Sequence, residues 1–296
     1  MLQYDRCELC PRKCGVNRLQ GQRGFCAMPA HPRLARAALH YGEEPPIGGA
    51  FGAGAVFFSG CTLRCKYCQN YEISLGAWGE DVSPAKLREL FLRLVDEGAQ
   101  CIDLVTPTHF LPDIIPALSP KLPIPVVFNC GGYERVETLR ELEGLVDIYL
   151  PDFKYSDSAL AKELSDAPDY PEIAEAALRE MFRQVGKPVI RDEIMERGVI
   201  VRHLALPDHV DNSLGVIDRL AEIFRPNDIL ISLMCQYVPA GPLANTPPFN
   251  RTVTEEEYAA VQSWLELSGF TQGFVQDLSA ADTAQIPRFD GTGINF

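Results

Sequence analysis

Downstream of residue 83 the chain alternates short apolar runs with stretches in which apolar residues recur every three or four positions. That is the pattern of strands separated by amphipathic helices. The first helix is the clearest. Ser83 caps it, Pro84 suits its first position and Gly98 ends it, while Leu87, Leu90, Phe91, Leu94 and Val95 share one face. A strand at 101–105 follows, then a helix near 111–118, a strand at 125–129, a helix near 134–142 and a strand at 146–150. A longer helix from Pro171 to Val185 is closed by Gly186. Strands near 199–205 and 229–234 flank a helix around 213–224, and Thr254 caps a last helix over 255–267.

With an apolar run at 55–59, these elements make about six β/α units and predict an α/β fold with a parallel sheet. Six such strands fit either a partial barrel or an open doubly wound sheet, which periodicity does not separate. The best boundary lies in the Gly- and Pro-rich segment at 45–54. It divides a Cys-rich extension (1–50) from a core (51–250), with a C-terminal helix and tail (251–296) expected to pack on that core.

Composition narrows the function. A chain of 296 residues with 46% hydrophobic content can bury a barrel-sized core. Its net charge of −13 argues against nucleic acid as a partner. No apolar run reaches the length of a membrane span, and the N-terminus lacks a secretory pattern, so a soluble, cytoplasmic protein is expected. In that compartment the ten cysteines read as metal or redox ligands rather than disulfides. Cys101, Cys130 and Cys235 are isolated in apolar surroundings and need no role.

The other seven form two groups. SGCTLRCKYCQN sets Cys61, Cys65 and Cys68 in a CxxxCxxC arrangement with Tyr67 between the last two. A closed zinc site needs four ligands, so the alternatives are zinc with a distant fourth ligand or a [4Fe–4S] cluster with one iron left open. Cys7, Cys10, Cys14 and Cys26 supply four thiolates, enough for tetrahedral zinc or a second, fully ligated cluster, and the spacing leaves both open.

Parallel α/β folds place their sites at the strand ends, and here each strand leaves a polar cluster. The first strand runs into Cys61, the second into Thr106, Thr108 and His109, and the third into Asn129. The fourth ends in Asp152 and Lys154, the fifth contains Arg202 and His203, and the sixth ends near Gln236. Asp152 and Lys154 lie two apart and so face one side, as site groups or as an exposed ion pair. His109 reads equally as a loop hydrogen-bonder. His203 should point away from Arg202's side, and His31, His40 and His209 carry no signal.

Together SGCTLRCKYCQN, VTPTHF, NCGGYE, YLPDFKYSD, VRHLALP and ISLMCQYVP resemble the radical S-adenosylmethionine (SAM) proteins related to pyruvate formate-lyase-activating enzymes. A branch of that group also has an N-terminal segment like CELCPRKCGVNR. The resemblance implies a partial (β/α)6 barrel in which Cys61, Cys65 and Cys68 ligate three irons of a [4Fe–4S] cluster. SAM would chelate the fourth iron through its amino and carboxylate groups, and its reductive cleavage would yield a 5′-deoxyadenosyl radical that abstracts a substrate hydrogen. Asp152 and Lys154 match an Asp-x-Lys of the activating enzymes, Arg202 matches an Arg near the cofactor, and Tyr67, Asn129 and Gln236 complete the expected cofactor contacts. Thr106 to His109 stand where those enzymes carry Gly-Gly-Glu, so the carboxylate that meets the SAM amine is missing there.

The implied substrate is a glycine of a partner glycyl radical enzyme, with direct modification of a peptide or small metabolite as the alternative. The electron donor would be of the flavodoxin or ferredoxin kind, in an anaerobic setting. A non-catalytic iron–sulfur or zinc protein is the reading from another class.

Overall fold

The apolar runs pair as a parallel sheet, because each is followed by a helix long enough to carry the chain back across one face. The structure is a computed structural model that describes residues 2–283 and 286–295. Its first strand, β1 (Arg33–His40), precedes the one-turn helix α1 (Pro45–Gly48) and β2 (Ala53–Phe58). The short α2 (Tyr71–Ser74) and β3 (Glu80–Asp81) lead into α3 (Pro84–Asp96). Then come β4 (Ile102–Val105), α4 (Leu111–Ala117), β5 (Val126–Cys130), α5 (Val136–Arg140) and β6 (Ile148–Pro151). Helices α6 (Ser158–Ser165) and α7 (Tyr170–Val185) precede a hairpin of β7 (Val189–Arg191) and β8 (Ile194–Leu204). The last described elements are α8 (Val210–Ile223), β9 (Leu230–Met234), α9 (Glu255–Leu267) and β10 (Gly273–Val275).

Strands β2, β4, β5, β6, β8, β9 and β10 run parallel in that spatial order. β1 and β3 extend the β2 edge antiparallel, and the sheet does not close, with β3 and β10 at its two ends. This is the partial α/β barrel that the periodicity left beside an open doubly wound sheet. α3 forms as its sequence dictates: the Ser83 side chain accepts the Lys86 amide, and Leu87, Leu90, Phe91 and Leu94 are fully buried. Each of those side chains contributes roughly 1.5–3 kcal/mol by leaving water.

Among the elements that were not legible are β1, α6 and β10. β1 comes from the segment read as an extension; its outward and inward positions are broken by a register shift between Leu34 and Arg36, so no clean alternation shows. α6 is a short helix whose Asp157 cap accepts the Leu160 amide at 2.6 Å. β10 adds a seventh parallel strand of only three residues.

The concave side of the sheet is layered. Cys101, Val127, Leu150, Ile200 and Leu230 form an apolar floor, sealed by Ile47 from α1. Two residues further along the same strands, the pleat brings Asp103, Asn129, Asp152, Arg202 and Ser232 to the same face. A polar layer therefore stands on the apolar one. α1 delivers Glu43 and Glu44, the residues just before it, to this layer.

Candidate active site

A cavity of about 290 Å³ opens above the polar layer. Cys61, Cys65 and Cys68 line it from the loop after β2, together with Tyr67. The loop is held by its own backbone and by the N-terminal segment. Gly60 has φ +78°, and a Cβ there would meet Met28 and come within 2.8 Å of the Cys26 carbonyl. The Leu63 amide points at Cys61 Sγ (3.3 Å) and the Ser165 hydroxyl at Cys65 Sγ (3.0 Å). Burial, reinforced by the neighbouring Cys65, pushes the Cys61 thiol up to about 12 and raises Cys68 as well. Tyr67 is buried, stacked on Phe249 at 6.2 Å and edge-on to Tyr155 and Tyr237, an aromatic wall beside the cysteines.

Opposite this loop lies a charged cluster. Asp152 accepts from Arg202 Nε (2.9 Å) and from Lys154 Nζ (2.6 Å), and Arg202 Nη2 donates to Asn129 Oδ1 (2.5 Å). Burial would raise the Asp152 carboxyl, but the Arg202 guanidinium and the Lys154 ammonium overcome it and hold it below the usual range. Thr106 lines the cavity at the end of β4 in a left-handed conformation, φ +60°, that a β-branched residue adopts only at a cost. Gln236 lines it too and accepts from Gln276 (2.7 Å).

Two expected residues stand elsewhere. His109 is fully buried under the N-terminal segment, with Nε2 2.7 Å from the Ser59 carbonyl and its own carbonyl accepting from Arg18 (2.6 Å). Burial and the Arg18 charge pull its pKa down to about 3, so it is neutral. Thr108, also buried, hydrogen-bonds the Glu134 carboxyl. Both follow the turn at Thr106 into a short 3-10 helix, which carries them behind the strand end and off the cavity. His203 is likewise structural, bonded to the Phe153 carbonyl and the Ser213 hydroxyl.

Glu43, Glu44 and Ser232 line the cavity and were missed. The only signal for the two glutamates was a pair of acids directly before Pro45 and Pro46 in a Gly-rich segment.

The four N-terminal cysteines lie within electrostatic reach of one another, though among the described residues no three of them are arranged around a single ion. Cys26 feels the charges of Cys7 and Cys14, and Cys10 those of Cys26 and Cys7, with burial raising both thiols first. This knuckle grips the cysteine loop: Arg12 donates to the Thr62 carbonyl (3.0 Å) and the Ser165 carbonyl (2.7 Å), and Arg64 to the Phe25 carbonyl (3.0 Å). Arg18, buried over the Tyr4 ring, ties it to His109.

Comparison with known proteins places this geometry. The chain is 29% identical over 277 residues to the uncharacterized protein MJ0674 of Methanocaldococcus jannaschii, covering 90% of this chain and 75% of that one. Among solved structures it resembles Streptococcus suis SuiB bound to its precursor peptide SuiA, with a TM-score of 0.50 and 12% identity over 75% of this chain. It spans 48% of SuiB, and the likeness is one of fold. A domain of a pyruvate-formate lyase-activating enzyme from Bacteroides vulgatus matches at a TM-score of 0.36 and 17% identity, over 66% of this chain and 91% of that domain. The family model described as the Radical SAM superfamily matches residues 55–222, from β2 through most of α8 and so across every cysteine of the cavity. The chain belongs to the radical SAM superfamily and is an enzyme of that class, for which a [4Fe–4S] cluster and SAM are the implied cofactors.

Proposed function

We propose that Cys61, Cys65 and Cys68 hold a [4Fe–4S] cluster at which SAM is cleaved reductively, and that the radical so formed takes a hydrogen atom from a substrate in the same cavity. The observation that carries this reading is the meeting of the cysteine loop with strand-end residues of six further strands around one cavity.

The residues suit the cluster. Three thiols line one space, and the donors aimed at Cys61 and Cys65 are of the kind that stabilise thiolate charge. Among the described residues no three His, Cys, Asp or Glu side chains are arranged around a single ion. The raised thiols would ionise on ligation, when metal charge replaces the missing solvent. When bound, the cluster supplies one electron to the SAM sulfonium, releasing methionine and a 5′-deoxyadenosyl radical.

The protein's part is to position and to exclude water. Lys154, close to the cysteine loop, supplies the charge for the SAM carboxylate, while Asp152 keeps it ionised and aimed. Thr106, Asn129 and Gln236 offer hydrogen-bonding groups along the cavity. The Tyr67–Phe249 stack walls off one side, which limits quenching of a radical by solvent-borne groups.

The test is anaerobic incubation of the reconstituted protein with dithionite and SAM, followed by assay of 5′-deoxyadenosine. The wild type should form it and Cys65→Ala should not. Product from the variant would overturn the ligand assignment, and none from a fully reconstituted wild type would sink the radical reading. We further propose that Cys7, Cys10, Cys14 and Cys26 hold a second metal centre, a reading supported by their gathering in one knuckle, and that reducing electrons come from a flavodoxin- or ferredoxin-like donor.

A further inference from the structure

We propose that the polar layer beneath the cavity, built around Glu43 and Glu44, is the receptor for an ammonium group of the substrate. The inference rests on the reading of this cavity as the reaction chamber and goes on to name the substrate's chemical class.

Four carboxyls (Glu43, Glu44, Asp103 and Asp152) share this region with two cations, Arg202 and Lys154. Both cations spend their short carboxylate contacts on Asp152, at 2.9 and 2.6 Å. Arg202 reaches Glu43 only at 3.7 Å. His40 stands 3.8 Å from Glu43, but burial and Arg36 lower its pKa and keep it neutral. Asp103 receives Asn129 Nδ2 at 3.3 Å and meets Glu43, and Glu44 meets the Ser232 hydroxyl. Arg202 also acts on Glu44 and Asp103 from a distance, but among the described residues neither carboxyl forms an ion pair of its own.

The second observation is independent of the count. Glu44 Oε2 is buried and has no hydrogen-bond partner, and its side chain lines the cavity. Asp103 Oδ1, just behind the lining, has no donor other than the neighbouring Glu43 carboxyl. A buried carboxyl oxygen without a donor is costly to keep, so the Glu44 oxygen is expensive unless a ligand brings the donor. Burial raises the carboxyls of Glu43, Glu44 and Asp103, and the one shared guanidinium of Arg202 offsets it only in part. An ammonium carries three donors and one positive charge, which is what the layer lacks.

The amino group of SAM is the obvious competitor. It would sit at the open iron, beside the cysteines. The groups that act most strongly on Glu43 and Glu44 are Arg202, Asp103, Asp152 and Ser232, none of them on the cysteine loop. Those acting on Cys68 include Cys65, Ser74 and Lys154. The glutamates therefore belong to the inner layer, one pleat deeper than the strand ends, where the end of a second molecule would reach.

The experiment uses the full chain with its cluster reconstituted and SAM saturating, titrated by calorimetry with butylammonium and with 1-butanol, which share a carbon skeleton. Butylammonium should bind at least roughly tenfold tighter than the alcohol. Glu44→Gln, an isosteric change that keeps a hydrogen-bonding oxygen for Ser232, should erase that preference while SAM affinity shifts less than about twofold. Equal binding of amine and alcohol by the wild type overturns the proposal whatever the variant does. So does competition between butylammonium and SAM, or an equal loss of SAM affinity in Glu44→Gln, either of which assigns the layer to the cofactor. Loss of the preference on replacing potassium by sodium would assign it to an inorganic cation. SAM cleavage without an amine preference sinks this inference alone, and an amine preference without SAM cleavage sinks only the radical reading.

Discussion

The Ser165 hydroxyl donates to Cys65 Sγ at 3.0 Å, and the carbonyl of the same serine accepts Arg12 Nη2 at 2.7 Å. One residue at the end of α6 thus joins the N-terminal knuckle to a proposed cluster ligand. Hydrogen bonds to cluster sulfur raise the reduction potential by stabilising the more negative state. Ser165→Ala should therefore lower the potential while leaving iron content near that of the wild type. A redox titration followed by electron paramagnetic resonance reads this directly; an unchanged potential would mean that the hydroxyl does not act on the cluster.

Asp152 holds two cations in a largely buried site, and removing one partner of such a cluster leaves uncompensated charge. Asp152→Asn should cost about 3–5 kcal/mol of stability, measured by denaturant unfolding of the metal-free chain. A loss below about 1 kcal/mol would place the pair in the class of weak surface bridges.

Glu134 gives a pH dependence with a definite sign. Burial first raises its carboxyl from 4.5 to about 8, only partly offset by hydrogen bonds from Thr108 and Cys130. Between those values the unfolded chain has lost the proton and the folded chain keeps it, so this group's contribution to stability falls as pH rises from about 4.5 to about 8. Glu134→Gln removes that slope. The variant should gain stability relative to wild type on going from pH 5 to about 8, read as the difference between their unfolding free energies across the range. A constant difference would refute the assignment.

Gly60→Ala tests the approach of the two cysteine segments. The left-handed backbone and the contact with Met28 and Cys26 both oppose a side chain. Destabilisation beyond roughly 1–2 kcal/mol and a fall in iron bound per chain are expected, by unfolding and by elemental analysis.

The metal centre proposed for the knuckle can be tested apart from that of the cavity. A chain carrying Cys61→Ala, Cys65→Ala and Cys68→Ala should retain bound zinc or iron that is lost when Cys10 and Cys26 are also changed to Ser. Absence of metal from the first variant would dispose of the second centre.

Much of the fold was legible where local rules and burial agree. α3 and α7 are amphipathic with clear stop signals, and their apolar faces pack as the spacing predicts. β1 was hidden because a strand with a register shift shows no alternation, and α1 because one turn is too short for periodicity. In the site, Asp152 and Lys154 face one side as two residues on a strand must, and meet at 2.6 Å. Thr108 and His109 were misplaced because the left-handed turn at Thr106, which no β-branched residue announces, redirects the chain behind the strand.

The amino-acid sequence by itself determined the cysteine spacing, the order of strands and helices, and the recurrence of polar groups at strand ends. These are short-range properties, set by the chemistry of neighbouring residues. Only the tertiary structure decided that the barrel stays open, that Glu43 and Glu44 reach its interior, and that the N-terminal segment presses against the loop of Cys61, Cys65 and Cys68. Those outcomes depend on which distant segments bury one another, and so on contacts that no local window contains.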